Sequence, residues 1–163
     1  MVITSSPPRG RSGLQSGGKT PAALTGLSAE VDFSLPFQHR LTVPKNTAIA
    51  TPYEYVMPLP IGRIQKLWVE MPAGCQGLVG LQVWRRVYQI FPLPEGQWFI
   101  SDDTMVNFAF THSVHNEPYE VILKAYNLDD TYQHQPWIAF EMTGLKNDLP
   151  PELAGLVDYL KGA

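Results

Sequence analysis

Two pairs of adjacent aspartates are the first residues with chemistry to weigh. Asp102–Asp103 follow Trp98-Phe99-Ile100, and Asp129–Asp130 follow Tyr126-Asn127. Carboxylates held about 5–10 Å apart can act as acid and base in glycoside cleavage. They can also gather as oxygen ligands around calcium. Asn127, Asp129 and Asp130 form the better calcium candidate, yet they lack the ordered D-x-D-x-D-G register of a calcium loop. Adjacent aspartates at strand ends also bond their own backbone and shape a turn. That is the favoured reading of both pairs.

Other reactive groups are sparse. His112 and His115 are three apart, a spacing that points them to opposite sides of a strand. His134 is close enough in sequence to Asp130 to join the aspartates in space, but the default is surface or interface histidines. Cys75 sits in a Gly-rich turn with no neighbouring cation to activate it. Gly17-Gly18-Lys19-Thr20 is a fragment of a phosphate loop and follows no strand. There is no G-x-S-x-G elbow. No nucleophile, base and orienting group come together, so no enzyme is expected, and no cofactor.

Aromatic residues are the remaining signal. Trp84, Trp98, Trp137, Tyr53, Tyr55, Tyr88, Tyr126 and Tyr132 are many for this length. Trp68, Trp84 and Trp137 fall opposite the clearest apolar stripes. Exposed aromatics stack on sugars or sit at the centre of protein interfaces, where Trp, Tyr and Arg are enriched. The expected interface set is Trp84, Arg85, Arg86, Trp98, Tyr132 and Trp137, with Leu153, Leu156 and Leu160 near the C-terminus. The opposing reading is that two packed sheets simply bury these rings.

Short alternating segments must position them. His39–Val43, Arg63–Met71, Leu78–Trp84, Val87–Phe91, Thr104–Phe110, Tyr119–Tyr126 and Trp137–Thr143 each place apolar side chains at every second residue, the strand signature. PAGCQG (72–77), PLPEG (92–96), SDDT (101–104), HNEP (115–118) and NLDDTYQHQP (127–136) read as turns and loops. The pattern predicts an all-β fold, an antiparallel β-sandwich or jelly roll of seven to nine strands. Pro150–Leu160 differs: Leu153, Leu156, Val157 and Leu160 make a helical stripe.

The chain has 163 residues, 17% of them charged, with 12 Lys and Arg against 15 Asp and Glu. Residues 1–29 hold Arg9, Arg11 and Lys19 and no acid, so the formal net charge of −3 is a basic segment joined to an acidic body. Three regions follow: an extended or disordered arm over 1–29, a sandwich over 30–147 and a short helix over 148–163. One cysteine rules out an internal disulfide frame, and one cysteine with four scattered histidines argues against structural zinc. No apolar run suits a membrane span, and the first residues do not read as a secretory signal. The acidic balance argues against nucleic acid as a partner.

This layout, a Ser/Gly/Pro arm over Met1–Ser28, one sandwich over Val31–Thr143 and a short end helix, resembles small β-sandwich proteins of tailed-phage particles: head decoration and minor capsid proteins. The resemblance implies a virion structural subunit, made in the host cytoplasm. It would form a homo-oligomer, a trimer by preference, and bind the major capsid protein, with the arm reaching a neighbour. The alternative is a carbohydrate-binding or receptor-binding module.

Overall fold

A computed structural model describes residues 33–144 and Tyr159. The expected arm over 1–29 lies outside the described residues. So does the expected helix over 148–163 apart from Tyr159, and with it Leu153, Leu156 and Leu160.

The described residues form nine strands: β1 (Phe33–Arg40), β2 (Tyr53–Pro58), β3 (Gly62–Met71), β4 (Val79–Arg85), β5 (Tyr88–Phe91), β6 (Phe99–Ile100), β7 (Thr104–Val114), β8 (Glu120–Asn127) and β9 (Trp137–Gly144). All pairings are antiparallel. One sheet runs β1-β9-β3-β7; the other runs β2-β8-β4-β5, with β6 also on β4. Among the described residues there is no helix long and apolar enough to cross a membrane.

The pairings are nested. β1 pairs with β9, β2 with β8 and β3 with β7. β4 pairs with β5 and β6, which share its free edge and are separated by residues 92–98. The domain is therefore one long hairpin, rolled up, with its apex at Arg86–Val87. The β3–β9 and β4–β8 ladders knit the roll into two sheets.

Alternation drives the packing. Leu67, Val69 and Met71 on β3, Val79, Leu81 and Val83 on β4, Val121, Leu123 and Ala125 on β8, and Ile138, Phe140 and Met142 on β9 are all fully buried. They form one core shared by both sheets. Ile64 breaks the period of β3, and the register shifts between Ile64 and Lys66, so a bulge keeps Ile64 on the core side. Aromatic contacts link the two sheets along their two sides. His39 stacks on Tyr55 at 3.6 Å between β1 and β2. Phe108 of β7 meets Phe91 of β5 and Phe99 of β6 at 5.0 and 5.9 Å.

The expected all-β, antiparallel architecture is present, with local differences. The segment His39–Val43 does not form a strand of its own. β1 lies earlier, and Leu41 and Val43 instead bond the backbone of Pro136 and His134. β1 tolerates Pro36 because it is an edge strand. β2 and β6 were not expected.

Residues 92–98 cover the β4–β5 part of the outer face of the second sheet. Gln89 Nε2 donates to the Pro92 and Gln97 carbonyls, and its Oε1 accepts from Gly96 N. Gln82 Nε2 also donates to Gln97 O, at 2.9 Å. Beneath, Trp98 packs edge-on against Tyr126 at 4.8 Å. Tyr126 lies so close to Gly80 that a Cβ there would be 2.3 Å from its ring. We predict that Gly80→Ala destabilises the fold by about 1–3 kcal/mol through this overpacking, checked by urea denaturation. A cost under a few tenths would mean that the ring moves freely.

A cavity between two loops at one end of the roll

The strand registers place the 41–52, 72–78, 101–103 and 128–136 segments at one end. The apex, the 115–119 loop, Phe33 and Gly144 lie at the other. Between the β3–β4 turn and the β8–β9 loop is a cavity of about 730 Å³. Gln76 and Leu78 line one wall; Leu128, Asp130, Tyr132 and Gln133 line the other. Tyr132 is 68% exposed. In the turn, Gly74 and Gly77 take φ of 89° and 77°, which their missing Cβ permits.

The wall carrying Tyr132 is built from Asn127 outward. Asn127 ends β8 and is fully buried. Its Nδ2 donates to Val43 O and Tyr132 O, at 3.3 and 2.9 Å, and its Oδ1 accepts from Asp129 N at 3.0 Å. Asp129 continues the pattern. Its Oδ1 accepts from Thr131 N and Tyr132 N at 2.7 and 3.0 Å, and its Oδ2 accepts from His134 Nε2 at 2.9 Å. These bonds, the Tyr132 amide foremost, pull the Asp129 carboxyl from 3.8 down to about 2. A depressed carboxyl adds stability that is complete above its unfolded value and is lost as pH falls through its folded one. We therefore expect an acid-labile loop. Wild type should lose urea resistance between about pH 4 and pH 2, and Asp129→Asn should lack that component. Parallel stability curves for the two would contradict it.

The calcium candidates are thus committed to the loop. Asp129 uses both oxygens, Asn127 Oδ1 serves Asp129 N, and Asp130 Oδ1 accepts from Thr131 Oγ1. Among the described residues no group of three His, Cys, Asp or Glu converges. His134 meets Asp129, not Asp130. The turn reading holds for Asp129; Asp102 and Asp103 lie in the bend before β7, tied by backbone atoms alone, Asp103 N donating to Pro72 O and Asp102 O accepting from Thr104 Oγ1. Both pairs lie at the cavity end. Cys75, buried in the turn between them, has its thiol pushed up to about 11 by burial and by Asp102 and Asp129. At that value it is protonated at neutral pH. The cavity offers a ring, amides, a carboxylate and apolar rims, which are binding groups.

The expected interface residues do not form one patch. Tyr132 stands at the cavity. Arg85 and Arg86 mark the opposite end, where Arg85 donates to Asn116 O and Pro118 O and so ties down the β7–β8 loop. Arg86, Val87 and Tyr88 are exposed at the apex. The tryptophans expected to be exposed are half-buried. Trp84 donates to Gln82 Oε1 and lies under the Lys124 ammonium, 4.8 Å from the ring centroid. Trp137 donates to Gln38 Oε1, and Trp98 covers Tyr126. His112 points inward at the apex end, its Nε2 buried without a partner, while His115 is exposed. Burial and then the Arg85 charge push His112 below its usual value. The roles of Asn127, Gln82 and Gln89 in holding loops were not legible in the sequence; a polar residue inside an apolar alternation was the signal available.

A scan of protein-family models finds no match for the chain, and a search of curated proteins finds none either.

Proposed function

We propose that this protein is a virion structural subunit that binds the capsid lattice, a decoration or minor capsid protein, and forms a homo-oligomer. The observation that carries the reading is the nested strand pairing. A single rolled hairpin of this order is a jelly roll, a framework of capsid subunits and lectin-like domains. The division of the two ends supports it further. Phe33 and Gly144 lie at the apex end, so a basic arm over 1–29 and a helix over 148–163 would leave from there toward neighbours. The cavity end would face the lattice. The test is removal of residues 1–29, followed by circular dichroism and by binding to purified major capsid protein assemblies. The reading expects an unchanged sheet spectrum with binding weakened tenfold or more. Unchanged binding removes the arm's role, and absence of binding by the full chain removes the proposal.

A second reading is carbohydrate or receptor binding at the cavity. Tyr132, exposed beside Asp130, Gln76 and Gln133, supplies a stacking face next to hydroxyl-binding groups. The platform would be Tyr132, not the half-buried tryptophans. Glycan-array binding that Tyr132→Ala abolishes would favour it; an array without signal counts against it.

A further inference from the structure

An unpaired strand edge is a template for another strand, and proteins usually guard it with charge, proline or brevity. β1 carries Pro36 and Arg40, and β2 carries Glu54 and Pro58. β5 and β6 have 4 and 2 residues. β7 is the exception. It spans 11 residues, TMVNFAFTHSV, with no proline and no Asp, Glu, Lys or Arg. Among the described residues it pairs only with β3. Its outward residues Met105, Asn107 and Ala109 are exposed, Met105 at 61%. Its inward residues Val106, Phe108 and Phe110 are only half-buried, whereas Val69 and Leu67, which pair with the first two on β3, are fully buried. Both rows of β7 are thus left open along one side.

We propose that β7 pairs antiparallel with β7 of a second copy, about a two-fold axis at Asn107, joining the two β1-β9-β3-β7 sheets into one. The residues select this occupant and this register. Thr104–Ala109 is the regular part of the strand; the extra residue relative to β3 enters between Ala109 and His112. An axis at Asn107 sets the amide of Asn107 against its own copy, a self-complementary donor and acceptor. It sets Met105 over the partner's Ala109, large against small, on both sides of the axis. Val106 and Phe108 then cover each other on the inner row. In an isologous contact each outward charge would meet the mirrored position of the same strand, and β7 brings none to repel. The basic 1–29 arm is a poorer occupant, since β7 has no acid to receive it. Such a contact makes pairs, where the resemblance to decoration proteins suggested threes.

The test is light scattering on the full chain. The wild type is expected at twice the monomer mass. M105K/A109K sets like charges opposite each other across the axis and should weaken dimerisation tenfold or more with an unchanged circular dichroism spectrum. M105K/A109E, which sets opposite charges there, should restore it. N107C covers the case in which the charged variants fail to fold. Cys75 is buried, so the new thiol is the accessible one, and mild oxidation should yield covalent dimers that S113C does not give. A wild-type trimer, or dimers unaffected by M105K/A109K, would overturn the β7 contact and leave the virion reading standing. A wild-type monomer would overturn the contact and count against a homo-oligomer of any kind.

Discussion

Replacing Asn127 by leucine is expected to lower stability by about 3 kcal/mol, seen as a fall in the urea midpoint at unchanged slope. The side chain is fully buried and joins Val43, Asp129 and Tyr132. Val43 O keeps a second donor, His134 N, but Asp129 N and Tyr132 O lose the partner that fixes them. Each buried polar group left unmet costs about 1–3 kcal/mol. The shape of leucine is close enough that the loss is one of hydrogen bonds, not of volume. The cavity should suffer with it, since Tyr132 stands on the carbonyl that Asn127 holds. Asn127→Leu is therefore expected to abolish any ligand binding that Tyr132→Ala abolishes. Stability within 0.5 kcal/mol of wild type would mean that the β8–β9 loop is held by Asp129 and His134 without it.

Phe140→Ala is expected to cost about 3–5 kcal/mol. Phe140 is the largest of the fully buried side chains, on a strand flanked by β1 and β3. It lies in register with Phe37 on one side and Leu67 on the other. Truncation removes a ring from the middle of the core, and strands hydrogen-bonded on both edges cannot collapse far into the gap. Native domains hold a margin of only about 5–15 kcal/mol, so much of it would go. Phe140→Leu, which keeps most of the volume, should recover more than half of the loss. Both variants are read by chemical denaturation, and a cost below about 2 kcal/mol for alanine would mean the core relaxes around the site.

The strands that sequence reveals best are those whose neighbours are also strands with one buried face. Leu67, Val69 and Met71 alternate in the chain and alternate in the core. β2 escaped because prolines at 52 and 58 bracket it, although Tyr53, Tyr55 and Met57 alternate inward. The tryptophans were legible only in part, for a different reason. Alternation says which face a ring points to, but not what lies over that face. Trp84 is screened by Lys124, and Trp137 by Gln38, partners 40 and 99 residues away. Gln82 and Gln89 are buried because residues 92–98 return over them, an excursion with no periodic mark. At the cavity, the aspartate pair was legible as a turn, but the choice of His134 as partner depends on where the β8–β9 loop closes.

The nested pairing has a kinetic consequence. Contacts between β1 and β9 join residues about a hundred positions apart, a separation that ordinarily makes closure slow. In a rolled hairpin the distance is never closed at once. When β4 has met β5, the ends to be joined next are those of β3 and β7, already drawn near, and the entropy of each closure is that of a short loop. Assembly can thus run as a zipper from Arg86–Val87 outward. The outermost pair, β1 with β9, would be the last to close and the first to open. Substitutions near the apex should slow folding, while those in β1 should mainly speed unfolding.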